Sequence, residues 1–136
     1  MRFVLLRYDY LTEHPTIEAM DKSRPHAIVV IEVNGLRFAI PLRTHLRHKQ
    51  GFPTINDCGL DYSKCLLIFE DKDISRDIKL ESAAEFKIIN EHEHKIIKDF
   101  KKYVDKYIKA VLKEDKFVLN EYRFSTLQNY HDQLGI

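Results

Sequence analysis

Residues 26–42 read HAIVVIEVNGLRFAIPL. The first eight are rich in β-branched side chains, which fit a pleated, buried surface and predict a central strand. Asn34-Gly35 then supplies the two central positions of a tight turn, because both residue types tolerate positive φ. The chain returns antiparallel over 36–42, with alternation that places Leu36, Phe38 and Ile40 on one face. Pro41 has no amide hydrogen, so the second strand is expected to lie at an edge or to end there.

Before the hairpin, RFVLLRY at 2–8 predicts a first strand, and the polar stretch 9–25, with Pro15 and Pro25, a loop or short helix. Residues 43–63 predict a polar connection holding Gly51, Pro53 and Gly59, longer than most loops and therefore a place for function or motion. KCLLIF at 64–69 reads as a strand and DISRDIKL at 73–80 as a weaker one. Ser82 with Glu85 fits a capping box opening a short helix. A long helix from His92 to Lys113 follows from Ile96, Ile97, Phe100, Val104, Ile108, Val111 and Leu112, which recur at three- and four-residue spacing. Tyr103 and Tyr107 read as core-edge residues of that helix. Phe117 to Leu119 suggests a brief strand, and FSTLQNYHDQL at 124–134 a short helix capped by Ser125. Strands early and helices late favour an α+β fold, or a partly open antiparallel barrel carrying helices, over a parallel α/β fold.

The chain has 136 residues and 44% apolar composition, which suits one domain over 1–136. Its formal charge is only +1, so any nucleic-acid footprint must be local. Cys58 and Cys65 lack zinc-like spacing, and no apolar run approaches a membrane span. A reduced, cytoplasmic chain with free thiols is the simple expectation, though two cysteines leave a bridge open.

The local footprint lies around LRTHLRHKQG, residues 42–51. From Lys22 to Lys49 the basic residues Lys22, Arg24, Arg37, Arg43, Arg47 and Lys49 meet a single acid, Glu32, and His26, His45 and His48 join them. An arginine clamps phosphate through two parallel donors, and a threonine hydroxyl such as Thr44 adds a third. A histidine such as His48 moves a proton near neutral pH. Metal-free RNA cleavage needs these groups: the ribose 2′-hydroxyl attacks its own phosphate while cations absorb the developing charge. A solvated surface at a strand end is the plain alternative. Ser63 and Lys64 in GLDYSK read equally as RNA contacts or as a strand cap and an edge charge. Glu91-His92-Glu93-His94 reads as a solvated helix start, because spacing offers no third metal ligand. The lysines of the long helix alternate with Asp99 and Asp105, which makes much of that face salt-bridged, although it could flank an RNA backbone.

Three segments, RPHAIVVIEVNGLRFAIPLRTHLRHK, GLDYSKCLLIF and FSTLQNYHDQL, together resemble toxins of type III toxin–antitoxin systems. The likeness is to the TenpIN family and, more distantly, to the ToxN and AbiQ endoribonucleases. It implies a compact, partly open antiparallel β-barrel of the SH3-like kind seen in MazF and Kid, with added helices. It further implies a metal-independent, sequence-selective endoribonuclease with no cofactor. Such an enzyme cuts cellular RNA and processes a repeated antitoxin RNA, whose pseudoknots then fill the groove in closed heteromeric toxin–RNA assemblies serving phage defence.

In the ToxN-like motif a Thr-Ser pair follows a strand-ending Pro-Leu; after Pro41-Leu42, Arg43 falls at the threonine position and Thr44 at the serine position. The motif's lysine falls near Leu46, passing its role to Arg43, Arg47 or Lys49. An upstream lysine corresponds to Arg24, and the terminal histidine lies close to His48. A late Phe-Ser-x-Leu element matches Phe124 to Leu127, which gives Ser125, with Arg123 beside it, a supporting or RNA-contacting role. The resemblance thus implies Arg43 and Arg24 as phosphate clamps, Thr44 as a positioning hydroxyl, His48 as acid or base and Lys49 as an electrostatic alternative. Lys22, His26, Arg37, His45, Arg47, Ser63 and Lys64 would contact RNA. Two rivals stay open: an RNA-binding module without catalysis, and a MazF-like ribonuclease held by a protein antitoxin.

Overall fold

A computed structural model describes the backbone of residues 2–6, 26–69, 74–77 and 83–136, with side chains over 29–69 and 87–136. Lys22, Arg24, the 9–25 connection, the Ser82 cap and the side chain of His26 lie outside the described residues. Seven strands are described: β1 (Arg2–Leu6), β2 (His26–Val33), β3 (Leu36–Arg43), β4 (Gly51–Pro53), β5 (Gly59–Asp61), β6 (Leu66–Ile68) and β7 (Ile74–Asp77). Helices α1 (Ala83–Glu91), α2 (Glu93–Lys113), α3 (Lys116–Glu121) and α4 (His131–Leu134) follow, with short 3-10 turns at Tyr62–Lys64 and Thr126–Asn129. The pairings are antiparallel in the order β4-β5-β3-β2-β1-β7. The sheet is open, and with helices following the strands the fold is α+β.

The β2–β3 hairpin forms as its turn residues require: φ is 53° at Asn34 and 77° at Gly35. Val29, Ile31 and Val33 from β2 join Phe38 and Ile40 from β3 in the core, with Leu36 packed at its edge. Against them α2 lays Ile96, Phe100, Tyr103, Val104, Tyr107 and Ala110, one helical stripe. Asn34 Nδ2 donates to Asp105 Oδ1 at 2.9 Å and fastens the hairpin turn to that helix. The Lys101 and Asn34 hydrogen bonds hold the Asp105 carboxyl below its usual range.

Five expectations are corrected. β3 runs two residues past Pro41 and is flanked on both sides, by β2 and by β5 and β6. Pro41 is tolerated because it falls in the gap of that outer ladder, after Ala39 (paired to β6) and before Leu42 (paired to β5). The long polar connection contains a hairpin, β4–β5, whose strands are too short to show an alternation. Phe117–Leu119 is helical, because Asp115 caps α3 by accepting from the Val118 amide at 3.2 Å. Leu112 is 68% exposed, because at about 100° per residue it stands roughly 140° around α2 from Tyr107, off the buried stripe. The last predicted helix divides at Tyr130 into a 3-10 turn and α4, with Ser125 capping the first piece. Both cysteines are free thiols, and among the described residues no helix is long and apolar enough to cross a membrane.

Burial pushes the Cys65 thiol up from 9.0 to about 12. It also raises the Tyr62, Tyr103 and Tyr122 hydroxyls above their ordinary 10.0. The unfolded chain gives up these protons first, so it binds fewer than the folded chain and stability falls as pH rises. The thermal midpoint should be level up to about pH 9 and fall above it. Each group adds about 1.4 kcal/mol per pH unit once its unfolded counterpart has ionised. A midpoint still level at about pH 11 in thermal melts would mean that these groups reach solvent.

Candidate functional site

The outer side of β3 changes partner at its C-terminal end. Ala39 faces Leu66 and Leu42 faces Leu60, so three steps along β3 answer to six along the opposing chain. The surplus is taken up by the turn Tyr62–Lys64, which Asp61 opens. Asp61 Oδ1 accepts from the Ser63 amide at 3.0 Å and from Ser63 Oγ at 2.6 Å, the side-chain-to-backbone bond that suits aspartate to turns. This carboxylate is only 2% exposed. Burying a charge costs several kcal/mol unless it is paired, and the compensating groups come from the basic loop.

Arg43, the last residue of β3, brings Nη1 to 3.7 Å from Asp61 Oδ2. The chain then turns through Thr44 and His45, which are exposed, with His45 at φ 69°. Leu46 anchors the loop: its amide donates to the Asp57 carbonyl at 2.7 Å, and its side chain lies over Gly51 and Gly59. Arg47 stays exposed, and His48 turns back to place Nε2 at 3.2 Å from Asp61 Oδ1 and 3.5 Å from Ser63 Oγ. His48 Nδ1 accepts from the Gln50 amide at 3.1 Å. That acceptor role puts the ring proton on Nε2, where it donates to Asp61. Gln50 braces the arrangement further, accepting from the Tyr62 amide at 3.0 Å and donating Nε2 to the Glu121 carbonyl at 2.7 Å.

The glycines under Leu46 are needed for close approach. A Cβ on Gly59 would fall 2.6 Å from the Phe52 carbonyl oxygen and 2.5 Å from Leu46 Cδ2. Gly59→Ala should cost about 1–3 kcal/mol through overpacking. The measurement is a thermal melt of the variant, and an unchanged midpoint would mean that the β4–β5 hairpin gives way freely.

The site residues therefore divide into groups. Arg43, His48 and Ser63 meet on Asp61, whose part the sequence did not reveal. Lys49 lines a groove of about 340 Å³ whose other walls include Gln50, Tyr62, Lys102 and Lys106. Lys64, Arg123 and Ser125 line a separate hollow of about 290 Å³. Ser125 is buried there: its Oγ accepts from Tyr103 Oη at 2.7 Å and from the Leu127 amide at 3.2 Å. Arg37 stands six residues before Arg43 on β3, roughly 20 Å along the strand, so it does not join the Asp61 group. No family model matches the chain, no curated protein matches its sequence and no solved structure matches its fold. Among the described residues no three of His, Cys, Asp and Glu gather to hold a metal ion. The lysine face of α2 is partly paired, through Lys95–Asp99, Lys101–Asp105 and Lys106–Glu121.

Proposed function

We propose that this protein is a metal-independent endoribonuclease, and that the Arg43–His48–Asp61 group is where the RNA phosphate is bound and attacked. The observation that carries this reading is the convergence of a half-exposed arginine and a histidine on one buried carboxylate at the end of a central strand. Arg43 binds the phosphoryl oxygens, and Thr44 lies next to it as a further donor. The ribose 2′-oxygen attacks the adjacent phosphorus, the bond to the 5′-oxygen breaks, and a 2′,3′-cyclic phosphate and a 5′-hydroxyl result. His48 Nδ1 takes the 2′-hydroxyl proton after exchanging its Gln50 amide for the substrate, and water returns a proton to the departing oxygen. Asp61 holds the ring and balances the charge it gains.

The resemblance to type III toxins gives this chemistry a biological setting. In that setting the fold is a barrel-like variant of the MazF, Kid and ToxN kind, acting in the cytoplasm, and repeated antitoxin RNA pseudoknots occupy the groove in a closed assembly. Tandem nucleotide repeats beside the gene would support RNA control, and a small acidic reading frame would support a protein antitoxin. A second reading, a non-catalytic RNA-binding module, draws on one observation: both ring nitrogens of His48 are already engaged. The deciding experiment is incubation of cellular RNA with the purified protein in EDTA, with the ends read at each cut. Discrete cuts with cyclic phosphate ends support the nuclease. Tight binding without cuts, after removal of copurified RNA, gives the binding module.

A further inference from the structure

We infer that the turn at Arg123–Ser125 is a stacking seat for one unpaired base of single-stranded RNA, with Lys64 and Arg123 holding the adjoining phosphate. The inference rests on the RNA reading above but uses different residues. Phe124 is 72% exposed, an unusual position for a large aromatic ring. Its backbone is nonetheless firmly held. Gln128 Nε2 donates to the carbonyls of Tyr122, Arg123 and Ser125 at 3.0, 2.9 and 2.9 Å. Lys64 Nζ donates to the Phe124 carbonyl at 3.4 Å. Immediately after it, Ser125 is buried and caps the following turn. A rigidly mounted, exposed ring loses little entropy when a base stacks on it.

The charge around the ring selects the occupant. Arg123 places Cζ 4.9 Å from the Phe124 ring centroid, and its Nη1 is fixed by the Asn120 carbonyl at 2.9 Å. The hollow of about 290 Å³ beside the ring is lined by Lys64, Arg123, Gln128 and Asn129 and by no acidic residue. The groove at Lys49 differs in this respect, since Asp99 and Glu121 line it as well. Cations beside an open aromatic ring, with the Asn129 side chain beside it able to meet a base edge, are the features of single-strand binding surfaces. The position fits a continuous strand of RNA: Lys64 directly follows Ser63, whose hydroxyl is bonded to Asp61.

The test uses the full chain and a short single-stranded RNA whose riboses all carry 2′-O-methyl groups, so that it binds without being cut, with one 2-aminopurine as a stacking reporter. Binding should quench the 2-aminopurine. Phe124→Ala should weaken affinity about 5- to 150-fold, ~1–3 kcal/mol, and Phe124→Tyr should restore it. Lys64→Gln and Arg123→Gln should each lower the slope of log affinity against log salt by about 0.7. The 2-aminopurine arm separates this inference from the nuclease reading. Phe124-dependent quenching with no cleavage of unmodified RNA upholds the seat and rejects the nuclease. Unaltered affinity in Phe124→Ala, with cleavage of unmodified RNA intact, overturns the seat and leaves the nuclease. A wild-type chain that neither quenches the reporter nor binds the RNA overturns the seat.

Discussion

His48→Ala should lower the rate of metal-free RNA cleavage by about 10²–10⁴-fold, the range for losing a positioned proton-transfer group. Arg43→Ala should lower it by about 10²–10³-fold, the range for losing one charge-stabilising donor. The two losses have different signatures. Added imidazole can replace a missing proton carrier but not a missing phosphate clamp, so it should partly rescue His48→Ala and leave Arg43→Ala unchanged. Asp61→Asn probes the positioning beneath both. The amide oxygen can still accept from the Ser63 amide, so the turn keeps its cap. It carries no charge to balance Arg43 or a protonated His48, and the rate should fall while far-UV circular dichroism stays unchanged. Full activity in His48→Ala would remove His48 from the chemistry and leave Arg43 as an RNA-binding residue.

The dependence of three residues on Asp61 explains what the sequence could and could not disclose. The β2–β3 hairpin was legible because its information is local: β-branched runs, an Asn-Gly turn and a two-residue period. The long helix was legible for the same reason, and its stripe faces the sheet from Ile96 to Ala110. Arg43, His48 and Ser63 could be singled out by residue type alone. Their common partner could not, because Asp61 reaches them only when a three-residue surplus in the opposing strand turns it inward. A signal existed in Asp61-Tyr62-Ser63, where an aspartate two residues before a serine fits a turn closed by its own side chain. Arg37 fell in the same basic run as Arg43, but charge along the sequence carries no distance, and a strand separates residues that a count of charges puts together. Leu46 entered only as a motif position; its packing over two glycines, on the path that brings His48 back to Asp61, is a contact that residue type alone does not disclose.

Phe100→Ala should destabilise the fold by about 3–5 kcal/mol, the usual cost of removing a buried aromatic ring. Folded domains are stable by only about 5–15 kcal/mol in total, so the variant should melt far below the parent in thermal or urea denaturation. Phe100 is fully buried and stands edge-on to Phe38 of β3, with ring centroids 5.2 Å apart, and to Tyr62 at 5.4 Å. It also lies 6.1 Å from Tyr103, which stacks on Tyr122 at 4.8 Å. One ring on α2 thus supports the central strand, the turn that carries Ser63 and Lys64, and the aromatic packing that leads to the Phe124 turn. Phe100→Leu keeps an apolar side chain and most of the volume, and it should recover much of the loss. If cleavage falls in Phe100→Leu under conditions where the protein remains folded, the core sets the alignment of Asp61 and not only its stability. If cleavage is unchanged while the midpoint falls, the site needs Tyr62 only to be present, and the Asp61–Ser63 bonds hold the turn by themselves.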